Sequence, residues 1–235
     1  MNSGPPPGFV VGLAIEARLL AQAIARQAPS AEPTIACAAA NPSRARDGAR
    51  RLLREGASAL VSFGIAGGLD PNLAPGDLVL AERVMSPEGD AVATDPGLRA
   101  TWAAAAAAAG LHHVGGSLLE SERILAGVAE KRAAQRSSGA VAVDMESRAV
   151  AGVAAEAGMP FIAIRAIADP AGRPLPRSVI GSIGPNGRPR VGRVILRVCL
   201  RPWEAPALLQ LRRDTDAALG SLRRLIGGFG PAGFC

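Results

Sequence analysis

The 235-residue chain is 49% apolar and 20% charged, which suits a soluble globular protein with one α/β domain and a sizeable core. Its net charge of +6 is lopsided: residues 1–172 carry 15 basic and 17 acidic groups, residues 173–235 carry 11 and 3, which fits a catalytic body with a basic appendage and not a nucleic-acid-binding domain. Three scattered cysteines without a CxxC, two adjacent histidines (His112, His113) and a first apolar run broken by Glu16 argue against a disulfide framework, a metal site, a signal peptide and a membrane span, and for reduced thiols in the cytoplasm.

Residues 1–8 are Gly/Pro-rich and expected to be flexible. Phe9–Ile15 reads as a buried strand and Glu16–Gln27 as the helix after it. Thr34–Ala40 is a second strand, and Ser43–Glu55 a helix capped by Ser43 and ended by Gly56. Ala57–Phe63 is an apolar strand that runs into Gly64-Ile-Ala-Gly-Gly68, read as a tight turn whose backbone N–H groups make a floor for a ligand. The spacing is neither GxGxxG nor a P-loop, so dinucleotide and triphosphate sites are not expected. Leu78–Val84 is a strand, Pro96–Ala109 an Ala-rich helix, His112–Leu119 a strand, and Ser121–Gln135 a helix capped by Ser121. Every basic residue except Lys131 is arginine.

The stretch from Gly139 to Pro170 organises the chain. Its apolar runs Ala140–Val143 and Phe161–Ala168 flank a helical pattern over Met145–Ala157, which predicts a β-α-β unit with parallel strands. Asp144 and Glu146 follow the first run and Asp169 the second. Ligands of open α/β sheets sit at the carboxyl ends of strands, so these carboxylates are expected to converge on one pocket.

Three segments carry a family resemblance. They are Gly12-Leu-Ala-Ile-Glu16, then Phe63-Gly-Ile-Ala-Gly-Gly-Leu69 with Pro75-Gly-Asp77, then Val143-Asp-Met-Glu-Ser147 with Arg165-Ala-Ile-Ala-Asp169. In this order they resemble the nucleoside phosphorylase/nucleosidase superfamily, and methylthioadenosine/S-adenosylhomocysteine nucleosidase in particular. The wording SFGIAGGLDP, VDMES and RAIADPAGRPLP, with the Leu/Arg-rich tail, is similar to the hopanoid-associated phosphorylase branch, thought to remove adenine from adenosylhopane. The resemblance implies a three-layer α/β/α sandwich with a mixed central sheet. It also implies no cofactor beyond phosphate as a possible co-substrate, and homo-oligomeric assembly.

The resemblance assigns protonation of the leaving purine at N7 to Asp169, whose burial would keep it protonated. It gives the ribose hydroxyls to Glu146, with Met145 along the sugar's face, because a carboxylate accepts two hydrogen bonds and stabilises oxocarbenium charge. Glu16 would polarise the attacking water, Arg165 would orient the carboxylates, and Ala66, Gly67 and Gly68 would contact substrate. The plainer alternatives are helix-terminal acids or caps for Glu16, Glu146 and Asp169, and a buried ion pair for Arg165. Asp144 reads as a turn or capping residue.

The sequence departs from the nucleosidase pattern at Ile65 and Ala168, where that pattern has serine, and at Ile124, where it stacks an aromatic on adenine. These changes predict a more apolar pocket, which suits a lipid-linked nucleoside. Arg18, Arg83 and Arg123 are the candidates for holding a phosphate, and Glu16 favours water; both nucleophiles stay open. The catalytic domain is expected over residues 9–177. Residues 178–235 are expected to hold a hairpin-like turn at Pro185-Asn-Gly187 and two amphipathic helices, Val191–Leu200 and Ala205–Leu225. These helices either pack on the sheet with a solvated basic face or touch an anionic inner-membrane surface.

Overall fold

The structure, a computed structural model, describes residues 5–27, 34–180 and 201–229. Its elements are β1 (Gly8–Val11), α1 (Ala14–Gln27), β2 (Ile35–Cys37), α2 (Pro42–Arg54), β3 (Leu60–Gly68), β4 (Leu78–Leu80), β5 (Arg83–Met85), β6 (Ala91–Ala93), α3 (Pro96–Ala108), β7 (His113–Val114), β8 (Ser117–Glu120), α4 (Val128–Ser138), β9 (Ala142–Asp144), α5 (Ser147–Glu156), β10 (Phe161–Asp169) and α6 (Ala205–Gly227).

The strands form one mixed sheet in the order β6-β5-β8-β9-β3-β10-β4-β7, with β1 on β3 and β2 on β1. β3 and β10 are its nine-residue spine and run parallel, pairing Phe161 with Leu60 through Ile167 with Ala66. One extra residue, Ala168, then interrupts the register, and Asp169 lies opposite Gly67. Both strands are buried on both faces, so they read as continuous apolar runs. Val61, Phe63, Ile162 and Ile164 pack with the apolar residues of α1, α3 and α6, such as Leu20, Trp102 and Leu222. Leu60, Ala66, Phe161, Ala163 and Ile167 pack with α2 and α5 residues such as Leu52 and Val150. Two helical layers therefore enclose the sheet, as expected of the three-layer α/β arrangement.

Several local expectations are corrected. Gly64–Gly68 is not a turn but the end of β3: Gly64 pairs with Arg165, and Gly67 and Gly68 pair with Val143 and Ala142. The neighbours leave little room for side chains there, and glycine serves close approach instead of reversal. β9 runs antiparallel to β3 while β10 runs parallel to it, so the segment 139–170 is not a simple parallel β-α-β unit. The cap of α2 is Asn41, whose side chain accepts from the N–H of Arg44 at 3.0 Å, with Pro42 in the first turn; Ser43 lies inside the helix. Helix α4 begins at Val128 and not at Ser121, because the Glu130 carboxylate accepts the N–H of Gly127 at 2.8 Å, while Ser121 closes a local turn with Arg123. Leu78–Val84 is divided between β4 and β5, and His112–Leu119 between β7 and β8, where Gly116 adopts φ 108°.

The hairpin-like turn at 185–187 and the helix expected over 191–200 lie outside the described residues. The last expected helix is present as α6. It buries Ala218, Leu219, Leu222, Leu225 and Ile226 in the core and keeps Arg212, Arg213, Arg223 and Arg224 at the surface. This part of its apolar stripe packs on the sheet. No helix among the described residues is long and apolar enough to cross a membrane.

Candidate active site

One cavity of about 360 Å³ opens at the ends of β3, β9 and β10 and gathers the acids of all three sequence segments: Glu16, Glu146 and Asp169. Ala66, Gly67, Ile124, Met145 and Arg165 also line it. Gly68 does not. It sits one residue further along β3, where a Cβ would meet Ile167 and the turn at Pro170. Of the three candidate phosphate-holding arginines, Arg123 lines the cavity, and Arg18 and Arg83 are not among its lining residues.

Glu16 stands in the first turn of α1 and is 1% exposed. Oε2 accepts the N–H of Leu13 at 2.7 Å, and Oε1 accepts the N–H of Ile65 at 2.8 Å. It therefore serves its own helix terminus and is also pinned to β3 within the cavity. Gly64 permits this contact, because a Cβ there would lie 2.6 Å from Glu16 Oε1. Burial pushes the Glu16 carboxyl above its ordinary range, opposed by the Ile65 N–H, Arg165 and the Leu13 N–H.

Glu146 occupies the N-cap position of α5 without capping it through its side chain. Its carboxylate faces Gly12 instead, where a Cβ would come within 3.1 Å of Oε1. Burial is the main cause that pushes Glu146 up to about 8, followed by repulsion from Asp144; Arg165 opposes the shift and Glu16 adds to it. Between its ordinary value of 4.5 and about 8 the folded chain thus holds a proton that the unfolded chain has released. Stability from this group is complete below about pH 4.5 and is lost as pH rises through 8. We expect the melting temperature of ligand-free protein to fall between pH 5 and 8.5, and Glu146→Gln to make that fall shallower. Equal slopes by calorimetry would refute the assignment; Glu16 and Asp169 shift in the same direction, so some slope persists in the variant.

Arg165 is fully enclosed. Nε donates to Asp144 Oδ2 at 2.7 Å, Nη2 to Ser62 at 2.7 Å and Ser147 at 2.8 Å, and Nη1 to the Ile164 carbonyl at 2.9 Å. Asp144 binds both this guanidinium and the Ser147 hydroxyl, and accepts the Ser147 N–H at 3.3 Å at the start of α5. The capping role expected of Asp144 is thus joined to a buried ion pair. Arg165 acts on Glu16 and Glu146 electrostatically.

Asp169 Oδ2 lies 2.7 Å from Lys131 Nζ. Burial raises the Asp169 pKa, and Lys131 opposes the rise. Sequence reasoning missed Lys131; its being the one lysine among 26 basic residues was the available signal. It also missed the far wall of the cavity, formed by Leu175, Val179, Leu211 and Thr215. Along β3, Glu16 is held at Ile65 and Asp169 sits opposite Gly67. Two residues of strand separate these levels by about 7 Å.

A family model described as the phosphorylase superfamily matches residues 40–199. The chain belongs to that superfamily. No curated protein matches it in sequence. Among solved structures it is similar to the methylthioadenosine/S-adenosylhomocysteine nucleosidase of Helicobacter pylori crystallised with butyl-thio-DADMe-Immucillin-A (TM-score 0.68, 15% identity, 95% of this chain and 98% of that one). It is also similar to a mutant futalosine hydrolase of Helicobacter pylori (0.65, 17%, 72% and 90%). A third similar structure is the S-adenosylhomocysteine nucleosidase of Streptococcus pyogenes in complex with 5-methylthiotubericidin (0.62, 21%, 73% and 86%). At these identities the likeness establishes the superfamily's mixed-sheet α/β fold.

Proposed function

We propose that the chain hydrolyses the N-glycosidic bond of an adenine nucleoside. The observation that carries this is the meeting of three carboxyl groups, Glu16 and Glu146 buried and Asp169 half-buried, on one cavity whose described cations are already engaged. Arg165 is held by Asp144, Ser62, Ser147 and Ile164, and Arg123 pairs with Glu130 at 2.6 Å. A phosphate nucleophile needs cationic or hydroxyl donors as well as backbone N–H groups. Glu16, a carboxylate that repels phosphate and can accept a proton from water, suits a hydrolase.

In this reading Glu16 uses its remaining lone pairs to hold and deprotonate a water molecule. Glu146 lies against the ribose hydroxyls; sugar binding and Arg165 favour its ionised form, which with Glu16 faces the positive charge that builds on the sugar. Asp169, whose pKa burial raises, gives its proton to N7 as the base departs.

For the substrate we propose adenosylhopane, giving adenine and ribosylhopane. Support comes from the resemblance to the hopanoid-associated branch and from the aliphatic lining of Ile65, Ile124, Leu175, Val179 and Leu211. The rival substrates are methylthioadenosine and S-adenosylhomocysteine, favoured by the likeness to the Helicobacter pylori nucleosidase over 95% of this chain. Adenine release is expected without phosphate and fastest from the lipid-linked nucleoside. A strict phosphate requirement with a sugar 1-phosphate product would overturn hydrolysis, and turnover of the soluble nucleosides alone would overturn the lipid substrate.

Peripheral contact with an anionic membrane belongs to the same proposal. It rests on Trp203 and Leu209, 71% and 60% exposed beside Arg201, Arg212 and Arg213. Co-sedimentation with anionic vesicles at low salt, reversed at high salt, is the expected result; a Trp203→Ala/Leu209→Ala protein retained as well as the parent would refute it.

A further inference from the structure

Helix α4 carries the chain's one lysine to the end of β10. Lys131 is 0% exposed. Its ammonium group lies 2.7 Å from Asp169 Oδ2 and donates to the carbonyls of Pro170 and Arg173, each at 2.9 Å. Three acceptors match the three N–H groups of an ammonium ion, so the charge is solvated by the protein instead of by water. An arginine would spread its charge over a planar fork; a compact point charge suits this three-sided socket. The socket also extends outward. Arg173 pairs with Asp214 of α6 at 2.6 Å, and the N–H of Leu175 bonds to the Ala126 carbonyl at 2.8 Å. Lys131 therefore ties Asp169 to the segment that supplies the Leu175 wall.

We propose that Lys131 is the positioning residue of the leaving-base end of the cavity: its ammonium group anchors Oδ2 of Asp169 and is the fixed counter-ion for the charge that Asp169 acquires when its proton passes to the departing base. The inference rests on Asp169 being the acid, as proposed above. As the C1′–N9 bond breaks, its electron pair goes to the base and the Asp169 proton goes to N7. Asp169 is left as a carboxylate, and Lys131 keeps all three of its protons. An acid whose conjugate base meets a waiting cation gives up its proton more readily than one in an apolar pocket. Anchoring Oδ2 leaves Oδ1 as the oxygen for the ligand.

Two effects of removing the ammonium group follow, in opposite directions. Asp169 stays protonated to higher pH, because Lys131 lowers its pKa against the burial that raises it. The proton transfer itself becomes slower. In Lys131→Met the alkaline limb of kcat/KM is expected to move up by about one pH unit while kcat falls roughly tenfold or more. Lys131→Arg, which keeps the charge but not the fit to the socket, returns the limb part of the way to its original place.

The readout independent of turnover is adenine binding by calorimetry from pH 5 to 9. Affinity in the unaltered protein should fall as Asp169 ionises, and in Lys131→Met the midpoint should move up by a similar amount. A folded Lys131→Met protein whose midpoint and limb stay put would show that the lysine only fills space, and would overturn the inference. Should that variant not fold, Lys131→Gln tests the same shift with a polar side chain. Failure of the unaltered protein to bind adenine or release it from any nucleoside would bring down the reading of Asp169 instead, which is a distinct result.

Discussion

Replacing Asp169 with Asn is expected to slow adenine release by ~10²–10⁴-fold, the usual worth of a positioned general acid. The carboxamide keeps the size of the side chain and can still accept from Lys131, so the cavity stays built. What it loses is the proton proposed for N7. The loss should fall on kcat more than on KM, because the proton moves only as the bond breaks. A substrate whose base leaves easily without N7 protonation should escape most of it, and measuring both substrates separates lost acid catalysis from a damaged fold. A variant within a factor of a few of the unaltered protein on the natural nucleoside would remove Asp169 from the chemistry.

Arg165→Met is expected to cost about 3–5 kcal/mol of stability, the typical price of breaking a buried pair by deleting one partner. Both side chains of the Arg165–Asp144 pair are 2% exposed. Without the guanidinium, Asp144 is a carboxylate in the interior with only Ser147 to satisfy it, and Ser62 loses its strongest donor. Denaturant unfolding measures the loss. Adding Asp144→Asn should recover part of it, because the stranded charge goes with the partner. A loss below about 1 kcal/mol would place the pair among those whose desolvation cancels their attraction. Activity should also fall in Arg165→Met, since Glu16 and Glu146 lose the cation that stabilises their ionised forms. Of the two alternatives that the sequence left for Arg165, the structural ion pair is present in the fold, and the activity of this variant tests the orienting of the carboxylates.

The parts of the fold legible in the sequence were those governed by burial. Phe161–Ala168 and Ala57–Phe63 announce strands because their residues are apolar without alternation, as a strand covered on both faces requires. Glycines misled the reading where they mattered most. Gly64, Gly67 and Gly68 look like a turn, yet the constraint on Gly64 is the carboxylate of a helix 48 residues earlier in the chain, and no local pattern records it. The start of α4 was missed for a related reason: Ser121 looks like a cap, but a glutamate three residues inside the helix closes the terminus instead. The acids of the cavity could be picked out because they end apolar runs. Lys131 stood out only as the one lysine, since its partners Asp169, Pro170 and Arg173 are far along the chain and a lysine in a polar helix reads as a solvated residue. Leu175, Val179 and Leu211 were equally silent, as the wall they build exists only once α6 has docked.

The extra residue at Ala168 fixes how long β10 has to be. In an even ladder Asp169 would point the same way as Ile167, into the layer of α2 and α5; the added residue swings the acid round by half a pleat, towards the open end. The spacing from Arg165 to Asp169 is therefore a count and not merely a composition. Alanine can be exchanged for another small residue at that place, but shortening the strand there by one would rotate Asp169 away from the open end while leaving Glu16, Glu146, Arg165 and Asp169 in the sequence.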